Sequence, residues 1–282
     1  MPAWPSILGA AAGGIAGAVA VGWTRERNIR NRLLAALEAE AGQQAPNLPD
    51  PDRSDLPPPV GAYLRRALPP DPRPIVLARL TQRGRIRTDP LSDRWLPFAA
   101  THVAAPRAPG FVWDARVSTV PGVHIRVVDS FVSGEGRGRV AVASTVPLGS
   151  AGPGVEMNEA ALQRLLAEGP WTPSLLLPSE RLRWSARSDD SAEATLSTDA
   201  TTVSVEFTFN EEGEIGRIYT PARWRSVRGG FEPCAWEGRF ADYTDHDGWR
   251  IPRTGEVGWH IGGEWRSVFE CTIDSIEFEM PI

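Results

Sequence analysis

A mainly β fold with some helix is predicted: a large antiparallel sheet, curved or partly closed into an open barrel, with a helical lid and an N-terminal helix. Three observations predict it. More than a dozen segments between residues 75 and 280 are rich in Val, Ile and Thr and are punctuated by Gly or Pro. Only one helical pattern interrupts them, and a single sheet of that size needs something to cover its concave side. The aromatic residues are also skewed, with eleven Trp against three Tyr, nine of the Trp lying between Trp95 and Trp265. Side chains that large build either a heavy core or the wall of an apolar cavity.

The chain opens on an uncharged run, Ile7 to Val21, that extends to Trp23 and would be roughly 25 Å long as a helix. Gly9, Gly13 and Gly17 recur every four residues and leave a bare strip for close helix approach. Arg25, Arg27, Arg30 and Arg32 follow the run, and Trp4 and Trp23 bracket it as interfacial anchors would. The expectation is a single-pass membrane anchor through residues 7–23, with the large domain in the cytoplasm. A secretory signal peptide ending near Ala18-Val-Ala20, which would make the protein exported, and a helix packed on protein or a disordered tail are the alternatives.

From Thr24 to Ala41 the pattern turns amphipathic through Ile29, Leu33 and Leu37, continuing the helix until Gly42. Residues 42–59 hold six prolines with polar spacers and read as a semi-rigid tether. The division is therefore 1–41 as an N-terminal helix, 42–59 as a linker that keeps it apart in space, and 60–282 as a β-rich domain.

Val60–Leu68 reads as a short helix stopped by Pro69-Pro70. Strands are expected at 75–87, 96–104, 110–118, 123–133 and 137–146, with Gly134-Glu-Gly136-Arg-Gly138 as a hairpin turn. Asn158 is expected to cap a helix over Glu159–Glu168 with Leu162, Leu165 and Leu166 on one face, stopped by Gly169-Pro170. The apolar, proline-bracketed Trp171–Pro178 follows as lid or plug. Further strands are expected at 181–187, 192–197, 201–209, 214–220, 222–228, 235–243, 255–260, 264–271 and 272–280. In the third of these, Val203, Val205, Phe207 and Phe209 share a face. Glu211-Glu-Gly213 and Asp245-His-Asp-Gly248 read as turns.

Composition excludes several functions. The net charge of −5 argues against nucleic-acid binding. All 30 basic residues are Arg, so there is no lysine for a Schiff base, a Walker loop or a kinase ATP site. No G-x-S-x-G, H-E-x-x-H or C-x-x-C motif is present, and no cofactor or metal site is expected. Asp242-Tyr-Thr-Asp245-His246-Asp247 has metal-like residue types but precedes Gly248 as a tight turn would. Cys234 and Cys271 lie in separate strands and are expected to be free, small, buried hydrophobes.

Acid/base chemistry has three weak candidates: Asp114 beside Trp113, His124 across a hairpin, and Glu168 near Trp171. Cross-strand ion pairing of Asp114 and surface solvation of Glu168 are the plainer readings.

The string Trp95-Leu-Pro97-Phe98, the block Pro109–Arg116 (PGFVWDAR), and Leu165–Glu168 followed by Trp171-Thr-Pro173 resemble one bacterial family of domains of unknown function. So do Trp236–Phe240 (WEGRF), Tyr243 and Gly248–Pro252 (GWRIP) ahead of Glu256 and Trp259. The resemblance covers about Leu56 to Ile276 and implies no reaction. The architecture alone is similar to periplasmic lipoprotein carriers with an open barrel and helical lid.

The expected function is that of a membrane-anchored binding protein for an apolar or lipid-like ligand. Trp95, Phe98, Trp113, Trp171, Trp236 and Trp259 would line the cavity, and Asp114, Glu168 or Arg250 would orient a polar head. An enzyme using the carboxylate/His candidates, or a scaffold of a membrane complex, is the alternative.

Overall fold

The computed structural model describes the backbone of residues 4–43 and 55–281, and side chains from residue 20 onward. The side chain of Trp4, the surroundings of the Gly9/Gly13/Gly17 strip and most of the proline tether lie outside that description.

Helix α1 (Trp4–Gly42) and helix α2 (Pro58–Ala67) precede six strands: β1 (Leu77–Ile86), β2 (Leu96–Ala105), β3 (Gly110–Val120), β4 (Val123–Val132), β5 (Glu135–Val142) and β6 (Val146–Ala151). Helix α3 (Val155–Ala167) and two short 3-10 turns, Gly169–Trp171 and Pro173–Leu176, come next. Seven strands complete the described residues: β7 (Leu182–Ala186), β8 (Ser191–Ser197), β9 (Thr202–Phe209), β10 (Ile215–Val227), β11 (Gly230–His246), β12 (Trp249–Ile261) and β13 (Glu264–Glu279).

All thirteen form one antiparallel sheet in the order β6-β5-β4-β3-β2-β1-β13-β12-β11-β10-β9-β8-β7. Each strand therefore pairs with its neighbour in sequence, except at a single seam where Leu77 of β1 faces Glu279 of β13. The edge strands β6 and β7 do not pair, so the barrel is open. The stretch that links those edges, α3 and the two turns, folds back over the concave face and touches β3–β5 from one half of the sheet and β8–β10 from the other.

Strand alternation sorts side chains between the two faces. Phe111, Trp113, Ala115 and Val117 of β3 enter the main core under α3, as do Val203, Val205, Phe207 and Phe209 of β9. Val112 of β3 points the other way, into a second core with Val103, Ala105, Val128, Val132 and, from α1, Leu37 and Ala41.

The helical lid sits tightly because two glycines make room for it. A Cβ at Gly136 would lie 2.4 Å from the Met157 carbonyl oxygen, and one at Gly255 would lie 2.8 Å from the Trp171 ring. Gly136 therefore belongs to strand β5 rather than to the expected turn, which is shorter and falls at Ser133–Gly134, both with positive φ. Asn158 is not the helix cap either; Gly154 is, and the Asn158 side chain accepts a hydrogen bond from the Gly136 N–H at 2.7 Å.

Three expected strand boundaries shift. The segments 214–220 and 222–228 are one strand, β10, because Pro221 sits in a bulge between Thr220 and Arg223 where no ladder N–H is needed. The segments 264–271 and 272–280 are likewise one strand, and β6 is an additional edge strand in which Pro147 is tolerated.

The N-terminal helix departs most from expectation. Among the described residues no helix is long and apolar enough to cross a membrane, which overturns the single-pass anchor and the cytoplasmic placement built on it. Ten of the fifteen residues from Ile7 to Val21 are Ala or Gly, whereas favourable insertion comes chiefly from Leu, Ile, Phe and Val. Nor is the helix held apart from the sheet. Arg139 donates to both oxygens of the buried Glu26 at 2.6 and 2.5 Å, Arg30 reaches Asp114 at 2.9 Å, and Glu38 accepts from Arg79 at 2.8 Å.

Leu37 is wholly buried in that second core, so Leu37→Ala is expected to cost about 2–5 kcal/mol of unfolding free energy in a urea titration. A helix that merely trailed from the domain would leave the titration unchanged.

Candidate functional site

Between the lid and the concave face lies a cavity of about 200 Å³. Trp113 of β3, Trp171 of the first 3-10 turn, Trp236 and Phe240 of β11 and Trp259 of β12 line it, with Val257, Val268 and Phe269 at half-buried positions. Two of the indoles are fixed by their single donors: Trp113 Nε1 donates to Gln82 at 2.9 Å and Trp171 Nε1 to the Pro252 carbonyl at 3.1 Å. Trp171 stands edge-on to Phe240, with ring planes at 89°.

Five charged side chains line the same cavity: Asp129, Arg164, Glu168, Arg223 and, half-buried on β12, Glu256. Asp129 is opposite Trp113 in the β3–β4 register and so faces inward with it. Arg164 and Glu168 are one turn apart on α3, which aims both at the sheet. Arg164 Nε donates to Glu168 at 2.8 Å and its Nη1 to Asp129 at 3.0 Å, while the guanidinium lies over Phe111 and Trp113.

Arg223 is different. It donates one hydrogen bond to the Ala160 carbonyl at 3.1 Å and lies over the rings of Trp236 and Trp259, at 4.7 and 5.4 Å. No carboxylate among the described residues forms an ion pair with it, and its Nε is buried without a hydrogen-bond partner.

The protonation balance follows from these surroundings. Burial, then repulsion from Arg164, lowers the Arg223 pKa to about 10. Burial works against Arg164 as well, but Glu168 and Asp129 more than offset it and hold that guanidinium above its ordinary value. Burial pushes the Asp129 carboxyl up despite both arginines. His102 lies 3.2 Å from Glu168 without hydrogen-bond geometry and stacks on Phe111; burial lowers it to about 4. Cys271, a free thiol like Cys234, is pushed up to about 12 by burial and Glu168.

Of the residues singled out in the sequence, Trp113, Trp171, Trp236, Trp259 and Glu168 come together around this cavity. Phe98 lies behind the wall, stacked on Phe269 and edge-on to Trp113. Trp95 is elsewhere, covered by the guanidinium groups of Arg85 and Arg87. Arg250 is tied to Glu214 at 2.6 Å and lies nine residues along β12 from Trp259, about 30 Å away for an extended strand.

The proposed acid/base pairs do not assemble. Asp114 points to the opposite face, where Arg126 holds both its oxygens at 2.8 and 2.7 Å. His124 pairs with Ser118, four residues from Asp114 along β3, or roughly 13 Å. It contacts Ser144 at 2.8 Å and Arg116 at 3.2 Å. Glu168 is separated from Asp114 by the sheet. Arg164 and Arg223 are the residues that sequence reasoning missed. Arg164 lies opposite the Leu162/Leu165/Leu166 stripe of α3, on the side that an amphipathic helix ordinarily gives to solvent, so the pattern does not mark it as buried.

The chain belongs to the family of unknown function DUF6544, whose model matches residues 47–271. It is similar in structure to a LolA superfamily protein from Nitrosomonas europaea, at 9% identity over 79% of this chain and 93% of that one, with a TM-score of 0.35. It is also similar to a porin-like protein from Bacteroides uniformis, at 7% identity over 71% and 97% of the two chains, with a TM-score of 0.25. Sequence comparison with curated proteins returns no match.

The His102 environment sets a pH dependence. Its folded pKa lies below the unfolded value of about 6.5, so between about pH 6.5 and 4 the unfolded state binds more protons and stability falls as pH falls. Asp129, raised in the folded state, acts in the opposite sense. Urea titrations at pH 7 and pH 4.5 should therefore show a smaller acid loss in His102→Gln than in the parent, by on the order of 1–3 kcal/mol. An identical loss in both would remove His102 as the cause.

Proposed function

We propose that this protein is a non-enzymatic binding module that holds a small apolar or amphipathic ligand beneath its helical lid. The observation that carries this reading is the Trp-walled cavity, apolar on most sides and fitted with a few convergent charged groups, the usual make-up of a ligand site. Its size limits the ligand. A cavity of roughly 150 Å³ holds benzene, so about 200 Å³ accepts around eight non-hydrogen atoms and leaves most of a long acyl chain outside.

Catalysis is the weaker reading because two of the cavity's three carboxylates, Asp129 and Glu168, are already engaged by Arg164, and the nearby His102 imidazole is held neutral by burial. A group that moves protons near neutral pH needs a pKa closer to it.

Titration of the purified chain with 1-hexanol, followed calorimetrically and through Trp fluorescence, tests the reading. Saturable binding is expected, and Val257→Trp, which fills the cavity from its half-buried side, should weaken it at least about ten-fold, the scale of one lost apolar contact set. Heat and fluorescence that stay flat to the solubility limit would end the proposal.

A further inference from the structure

We infer that the ligand of this cavity is a short-chain carboxylic acid whose carboxylate is received by Arg223 while its chain lies against Trp236, Trp259 and Trp113. This rests on the binding-module reading above and adds the chemical class of the ligand.

Of the five charges around the cavity, Glu256 makes no ion pair among the described residues, whereas Arg164 spans Glu168 at 2.8 Å and Asp129 at 3.0 Å, so these three form a closed set. Arg223 stands outside it. A guanidinium carries five N–H donors, and among the described residues the only hydrogen bond it makes is the one to Ala160. A buried charge without a partner is costly and is normally paired, and the lowered pKa of Arg223 reports the same under-stabilisation. An anion at that point would satisfy it.

The stacking narrows the class of anion. Trp236 and Trp259 lie 4.7 and 5.4 Å from the guanidinium carbon and their ring centroids are 6.5 Å apart, so both rings lie to one side of the group, and the N–H donors not used by Ala160 are left for a partner. The forked donors of a guanidinium match the planar, two-oxygen geometry of a carboxylate. Charge count argues the same way. Arg223 carries one positive charge, and the lining already holds three carboxylates, Asp129, Glu168 and Glu256, against two guanidinium groups, so a monoanion is favoured over a phosphate dianion. The apolar end of the ligand meets Ile218, Val257 and Phe269, which also line the cavity. With room for about eight non-hydrogen atoms, hexanoate is the natural probe.

Calorimetry on the full chain with hexanoate, 1-hexanol, hexylamine and hexyl phosphate provides the test. Hexanoate should bind roughly 10- to 100-fold tighter than 1-hexanol, the range of a charge-assisted hydrogen bond, with hexylamine weakest and hexyl phosphate weaker than hexanoate. Arg223→Gln should remove the hexanoate advantage and leave 1-hexanol within about two-fold. The comparison on the parent protein does not depend on how the variant folds. Hexanoate and 1-hexanol binding equally would overturn the carboxylate assignment while leaving the binding module intact, and so would hexyl phosphate binding more tightly than hexanoate. An Arg223→Gln protein that keeps the full hexanoate preference would overturn the role of Arg223. If none of the four binds, the binding-module reading fails as well.

Discussion

The concave face of a thirteen-stranded open sheet must be kept from water, and this requirement shapes the molecule. The chain meets it with the connection between its two unpaired edge strands, β6 and β7, which crosses the trough as α3 and two 3-10 turns. Because that connection touches both halves of the sheet, it holds the curvature as well as the cover. The close approaches at Gly136 and Gly255 show how little slack the arrangement has: a methyl group at either place would meet the lid at 2.4 or 2.8 Å. The cavity is the part of the trough that the lid does not fill.

Charge placement follows from the same geometry. Arg164 and Glu168 reach the interior because α3 turns that face toward the sheet, and Asp129 meets them because strand alternation sends it inward beside Trp113. Desolvating Asp129, Arg164, Glu168 and Arg223 is expensive, and the Arg164 contacts offset the cost for the first three. Arg223 remains the exception, contacted by its aromatic neighbours and one carbonyl and favoured by Asp129 and Glu168 only without an ion-pair contact. On the convex face the charges have a different role. Glu26 with Arg139, and Asp114 with Arg126 and Arg30, hold α1 onto strands β3–β5 and close the second core.

Local periodicity made much of this fold legible. The alternation of Val203 to Phe209, the turn at Glu211–Gly213 and the Leu162/Leu165/Leu166 face of the lid helix are where the residue pattern put them, and the turn expected at Asp245–Gly248 is the shorter Asp247-Gly248, with Asp245 and His246 paired in β11. Four of the six proposed aromatic wall residues surround one cavity. What escaped was whatever depends on distant partners. Pro221 reads as a break until the bulge opposite β11 absorbs it. The apolar run at residues 7–21 reads as a membrane segment until its Ala and Gly content is weighed and the following turns are seen gripping the sheet. Asp114 reads as a site residue beside Trp113, yet neighbours on a strand face opposite ways, and Arg126 occupies it. The pairing of Arg164 with Asp129, 35 residues apart, has no local signature at all.

The seam between β1 and β13 has a consequence for how the protein comes into being. Every other strand pair joins neighbours in the chain and can zip as a hairpin once both strands have left the ribosome. Strand β1 is among the first to be made, yet its partner along Leu77–Ile86 is synthesised about two hundred residues later. Through most of translation that edge is bare, with Leu80 and Ile86 on the side that later faces the core. An unpaired, partly apolar edge is a template for wrong pairing. The nascent chain is therefore most vulnerable at the strand that ends up in the middle of the finished sheet.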